Sequence, residues 1–195
     1  DNVHPNAMGN TIAGFFFLYQ QGADKEVASV EVDEDETAVT RNATVAKLKR
    51  KGDRYVSFRY QPHSIPMAVT YEFNEASQYF EIVDEISWEN LQVAGLHPDV
   101  TYRVYMNRIL VGQYKGSELA QGVNLTNLDW NPGQEAAKQM ETLNQSWHTN
   151  SSDYRAVVRQ AMKGKATQAD VDSAYGTWSG TTAALIGQMY DIAGK

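Results

Sequence analysis

The chain has 195 residues, 42% of them hydrophobic and 21% charged, with a formal charge of −7 at pH 7. That length fills one sizeable core or two small ones, and the composition is that of a globular protein and not of a disordered one. The acidic balance argues against a nucleic-acid partner, which needs a basic face, and the absence of cysteine excludes disulfides, thiolate zinc sites and a Cys nucleophile.

Residues 8–20 read as a helix capped by Asn6, with Ile12, Phe15, Phe16 and Tyr19 at helical spacing. With Phe17 and Leu18 added it is apolar nearly all round, which predicts burial between layers. Its apolar run, Ile12 to Tyr19, is far shorter than the roughly 18 residues that cross a bilayer, and no basic residue precedes it as in a signal peptide. From about 26 to 115 the period changes to two. Strands are expected over 27–32, 37–40, 43–48, 55–60, 79–83, 88–93, 101–106 and 109–111, with an acidic turn at Asp33-Glu34-Asp35-Glu36. Asn107-Arg108 is placed for a two-residue hairpin, and 61–76 for a long crossover. Short strands at this spacing imply an antiparallel, sandwich-like domain.

After Trp130-Asn131-Pro132-Gly133 the pattern is helical. Ala136, Met140, Leu143 and Trp147 share one face, as do Tyr154, Val157, Val158, Ala161 and Met162. Val171, Tyr175, Trp178, Thr182, Leu185 and Met189 line a packing seam or a self-association face, behind a capping box of Thr167 and Asp170. The expected class is therefore α+β: a buried N-terminal helix (1–24), a β-rich middle (25–130) and a helical tail (131–195).

The candidate chemistry sits at the start, in Asp1-Asn2-Val3-His4-Pro5. An acid three residues before a His can fix one ring nitrogen and leave the other to take a proton from a nucleophile. This block resembles the last motif of SGNH (GDSL-type) ester hydrolases, an Asp-x-x-His-Pro before the final helix of a three-layer α/β domain. The resemblance implies Asp1 as the orienting acid, His4 as the general base, and Pro5 and Gly9 as shapers of the loop and helix start. Leu91 to Leu96, Tyr102 to Val111, Leu119 to Leu125 and Gln134 to Leu143 are similar to an accessory region that follows the motif in some bacterial members.

No Gly-Asp-Ser block and no oxyanion-hole block is present. Gly176-Thr177-Trp178-Ser179-Gly180 is one place off a Gly-x-Ser-x-Gly elbow and lies in a helical pattern, while Gly116-Ser117-Glu118 reads as an N-cap. The resemblance thus implies the C-terminal part of a serine ester hydrolase, cut from something longer, with the Ser on a missing segment of the same or a second chain. Small acyl esters, on carbohydrate for example, are the implied substrates. Export to the periplasm or outside the cell is the implied location, and no metal or organic cofactor is implied. The alternative is a non-catalytic carbohydrate-binding or protein-interaction module, with Trp88, Trp130 and the tyrosines as a platform. His63, His97 and His148 read as loop or helix-end residues, and the acidic run as a solvated turn.

Overall fold

The computed structural model describes residues 5–128 and 130–194. Two compact units divide the chain, Asp1–Glu135 and Ala136–Lys195. The first holds a helix α1 (Ala7–Gln20), strands β1 (Glu26–Val32), β2 (Ala38–Arg41), β3 (Ala43–Arg50) and β4 (Val56–Pro62), helices α2 (Tyr71–Ala76) and α3 (Ile82–Ile86), strands β5 (Trp88–Val93), β6 (Thr101–Met106) and β7 (Ile109–Lys115), helix α4 (Gly116–Gln121) and the short strand β8 (Val123–Asn124). Helix α5 (Pro132–Met162) starts in this unit, and α6 (Gln168–Ala193) completes the second. The protein is α+β, with small sheets and a C-terminal helical region.

A four-stranded sheet runs in the order β2-β1-β5-β8, and β3-β4 and β6-β7 form separate hairpins. The two-residue turn at Asn107-Arg108 has positive φ at both positions, as a hairpin of this length requires, and it pairs Met106 with Ile109. One ladder departs from the antiparallel expectation: β1 and β5 are parallel, matching Ala28 with Glu89, Val30 with Leu91 and Val32 with Val93. A period of two fixes which residues share a face but not the direction of the neighbouring strand.

That shared face is the core. Val30, Val32, Leu91 and Val93 pack with Leu119, Val123 and Leu125, and against Val45, Leu48, Val56, Phe58 and Tyr60 of the first hairpin and Tyr102, Val104 and Tyr114 of the second. Arg50 locks the rim by donating to three carbonyls, those of Gly52, Asp33 and Ala94. The acidic turn is closed by its own Asp33, whose carboxylate accepts from the Asp35 and Thr37 N–H groups. These bonds hold the Asp33 carboxyl below its ordinary value, the Thr37 side chain being the largest cause.

A second cluster sits apart from the sheet core. Phe15, Ala76, Ile82 and Ile86 are buried together, with Met8, Ile12, Leu18, Met67 and Phe73 around them. Here two expectations change. Residues 79–83 are not a strand: the chain turns at Ala76 to Phe80 and enters α3, where Ile82, Val83 and Ile86 recur at helical spacing and are buried. Helix α1 is covered on one side only. Phe15 is buried, whereas Phe16, Phe17 and Tyr19 are 42%, 62% and 53% exposed. Among the described residues of this unit, α2 and α3 supply the layer that α1 rests on, and Phe16, Phe17 and Tyr19 are left exposed.

The second unit is a helical hairpin. On α6 the half-buried positions are Val171, Ala174, Trp178, Thr182, Leu185, Met189 and Ile192, a heptad-like seam. Tyr154 of α5 stacks on Trp178 at 5.4 Å, and the Trp178 ring N–H donates to the Ser151 hydroxyl at 3.1 Å. Asn150 donates to the Trp178 carbonyl and the Thr182 hydroxyl oxygen. Tyr175, expected in the seam, flanks it and is half exposed, and Met162 lies outside it. The Thr167/Asp170 capping box starts α6 as the sequence indicates.

Candidate functional site

Asp1 and His4 lie outside the described residues, which begin at Pro5. Pro5 leads directly into α1. The Asn6 side-chain oxygen accepts from the Gly9 N–H at 2.8 Å, capping the first turn. The Asn10 amide donates to the Pro5 carbonyl at 3.4 Å. A Cβ at Gly9 would come within 2.9 Å of the Pro5 Cβ, so only glycine lets the incoming chain lie this close to the helix. Pro5 is therefore held on two counts, by the Asn10 tether and by the close approach of Gly9, while Asn6 caps the helix that follows.

Beyond its first turn, α1 presents its aromatic residues. Phe16 meets Phe80 edge-on at 5.2 Å, and Phe15 lies 6.2 Å from the same ring. Phe17 and Tyr19 of the same helix are exposed, and Phe80 is partly so. This face has the composition of an interior and the exposure of a surface.

The remaining sequence-level candidates do not converge. His63 Nε2 is 2.7 Å from the Thr44 hydroxyl, His148 packs edge-on to Trp147, and His97 sits by the β5–β6 turn, its backbone N–H donating to the Tyr102 hydroxyl. Among the described residues no group of three or more His, Asp or Glu side chains is placed to hold a metal. Trp88 is half-buried with the Lys25 ammonium 5.8 Å from its ring centre, and Trp130 is half-buried as well, so the two do not make an open platform. Ser179 lies within α6, and Ser117 is the second residue of α4, whose start is capped instead by Glu118 reaching back to the Lys115 N–H at 2.6 Å.

Sequence reasoning missed a polar junction inside the first unit. Glu89, 1% exposed, is on the core face of β5. Its carboxylate accepts from the Asn131 amide at 2.9 Å; the same amide donates to the Leu125 carbonyl, and the Asn131 oxygen accepts from the Gly133 N–H. Burial pushes the Glu89 carboxyl up, an effect partly offset by Asn131 and by Tyr60. The Tyr60 hydroxyl is buried and has no partner in hydrogen-bonding geometry among the described residues. Burial, then the Glu89 and Glu26 carboxylates, push the Tyr60 phenol up.

Two further amides extend this junction. Asn124 makes four bonds: its oxygen accepts from the Glu89 and Thr126 N–H groups, and its amide donates to Asp84 and to the Ser87 carbonyl. Gln134 pairs with an extended segment as a strand would, accepting from the Val69 N–H at 2.9 Å and donating to the Met67 carbonyl at 2.8 Å. Gly133 lets the start of α5 approach Pro66, whose Cδ is 2.9 Å from where a Cβ would stand. The Asn of the Gly-Val-Asn-Leu segment and the Gln that follows Asn-Pro-Gly are thus structural fasteners. Glu89 and Asn131 are sealed from solvent, and the crevice lined by Met67, Ala68, Val69, Phe73, Val83 and Ser87 leaves no room for a water molecule. The junction positions the chain and offers no place for a substrate.

The architecture is that of an α+β protein whose first helix carries the candidate loop. It superposes on the solved structure of a gut microbial diltiazem-metabolizing enzyme with a TM-score of 0.78, at 20% sequence identity. The match takes in 99% of this chain and 53% of that one, so the chain spans about half of that protein's length. At this identity the likeness defines the fold. No family model matches the sequence, and no curated protein matches it.

Proposed function

We propose that this chain is the C-terminal part of an SGNH-type serine ester hydrolase, in which Asp1 and His4 complete a triad whose Ser lies on polypeptide outside this sequence. The observation that carries the reading is the open aromatic face of α1, the helix that follows Asp1 and His4 in the sequence. A helix that closes an α/β layer needs apolar contact on both sides, and α1 has the residues for two but rests on one. The likeness to an enzyme of about twice this length, over nearly the whole of this chain, supports the same reading.

In such a protein the Ser oxygen attacks the acyl carbonyl while His4 takes its proton, and His4 then returns that proton to the leaving alcohol. Asp1 holds the imidazole in the tautomer that exposes the accepting nitrogen. Water repeats the sequence on the acyl-enzyme. Small acyl esters, including those on carbohydrate, are the substrate class, and the exported compartments are the place. The chain by itself has a base without a nucleophile and is inactive.

The test is fluorophosphonate labelling of the protein as isolated from its source, read by denaturing intact mass, with turnover of a small acyl ester measured for wild type and His4→Ala. The expected result is an adduct on a Ser outside residues 1–195 and loss of turnover with His4→Ala. An unlabelled single species of 21.8 kDa, or turnover indifferent to His4→Ala, overturns the reading.

A further inference from the structure

The hairpin β6–β7 differs in charge from the rest of the chain, whose formal total is −7. From Val100 to Ser117 the charged side chains are Arg103, Arg108 and Lys115, all basic, and there is no carboxylate. Among the described residues neither arginine is in an ion pair. The base of the hairpin is anchored, with Tyr102, Val104 and Tyr114 on the sheet core and Val111 buried. Val111 is also the extra residue of a bulge, since Val104 pairs with Gly112 and Tyr105 with Leu110. Beyond it the apolar residues are uncovered: Tyr105, Ile109 and Leu110 are 53%, 45% and 45% exposed and belong to neither apolar cluster. Arg108 holds the second turn position at φ 70°, where glycine is the unstrained choice and a larger side chain costs free energy. The turn nevertheless keeps a cation there.

Exposed apolar side chains beside unpaired cations, at the end of a two-stranded ribbon, define the chemistry of the occupant. A stable protein interface takes roughly 20–30 residues a side, and three apolar side chains fall far short of that. A lipid bilayer asks less, because its interface takes in apolar side chains to a depth of about 5–10 Å. The two residues from Val104 to Met106 advance about 7 Å, which matches that depth. Tyrosine is favoured at the same level, where ring and hydroxyl are both accommodated, and arginine reaches lipid phosphates from there with its stem in the apolar layer. The acidic total of the chain does not oppose such contact. Asp99 and Glu118, the acids that flank the hairpin in sequence, adjoin its base, where Thr101 pairs with Lys115. At about 3.3 Å per residue the turn is roughly 20 Å from that base, some two Debye lengths at about 0.1 M salt.

We infer that the β6–β7 tip docks on an anionic lipid surface, with Tyr105, Ile109 and Leu110 in the interface and Arg103 and Arg108 on lipid phosphates. The inference is independent of the hydrolase reading. The test is co-sedimentation of the full chain with sucrose-loaded vesicles, either of phosphatidylcholine alone or of phosphatidylcholine mixed with phosphatidylglycerol. The expected result is binding to the mixed vesicles that weakens as salt rises, and far less binding to phosphatidylcholine alone. Arg103→Gln and Arg108→Gln should each weaken binding about fivefold. Ile109→Ser and Leu110→Ser together should weaken it about tenfold, with an unchanged far-ultraviolet spectrum showing that the fold is kept. Insertion is read separately with Leu110→Cys carrying a nitrobenzoxadiazole label, since the chain has no cysteine of its own. On the mixed vesicles the label should brighten and shift to the blue. Absence of binding to the mixed vesicles, binding indifferent to Ile109→Ser with Leu110→Ser, an unchanged label, or binding to poly-glutamate in place of vesicles overturns the inference.

Discussion

Replacing Asn124 by Ala tests the polar junction most directly. The substitution removes the acceptor used by two backbone N–H groups, those of Glu89 and Thr126, both on residues 1% exposed. Each buried donor left unpaired costs roughly 1–3 kcal/mol, so the pair sets a range of about 2–6 kcal/mol. A water admitted to the vacated space recovers part of that, which places the expected loss near 3 kcal/mol. Urea unfolding at pH 7 is the assay, read as a midpoint about 1–2 M lower with an unchanged slope. Asn144→Ala, on an exposed position of α5, is the control and should stay within about 0.5 kcal/mol. Asn124→Asp should also destabilise: it keeps an acceptor but sets a second carboxylate against Asp84 and deletes the donor to the Ser87 carbonyl. A loss below about 0.5 kcal/mol for Asn124→Ala would refute the view that this side chain fastens α3, β5 and β8 together.

Two contrasts test the rest of the first unit. Phe15→Ala empties the centre of the α1 cluster and should cost about 3–5 kcal/mol in thermal or urea unfolding, whereas Phe17→Ser on the open face should change stability by less than about 0.5 kcal/mol. Equal effects of the two would mean that α1 is not held on one side as described. For Glu89 the sign follows from burial, which raises its pKa in the folded protein above the ordinary value of 4.5. The folded state then binds the proton more tightly than the unfolded one, so the contribution is fully present below pH 4.5 and is lost as pH rises through the folded value. Glu89→Gln should remove that part of the stability–pH curve; an identical curve in the variant would place the titration elsewhere.

Much of the architecture follows from local sequence alone. Asn6 and Thr167 with Asp170 mark where two helices begin, because a side-chain oxygen ahead of a helix answers N–H groups that nothing else can reach. Asn107-Arg108 marks a two-residue turn, and alternation marks β1 and β5, since these signals depend only on neighbours in the chain. The α6 seam was legible for the same reason, apart from Tyr175. What tertiary structure decided is everything that depends on a distant partner. The parallel pairing of β1 with β5 leaves no trace in the period of either strand. Residues 79–83 look like a strand until α1 offers a surface for Ile82 and Ile86 as a helix. Glu89, at an alternating position of a strand, gives no sign that it points inward, because its partner Asn131 is 42 residues away. Helix α1, apolar all round by composition, is only partly covered because burial depends on what is packed against a helix, and among the described residues of its unit α2 and α3 cover one of its faces.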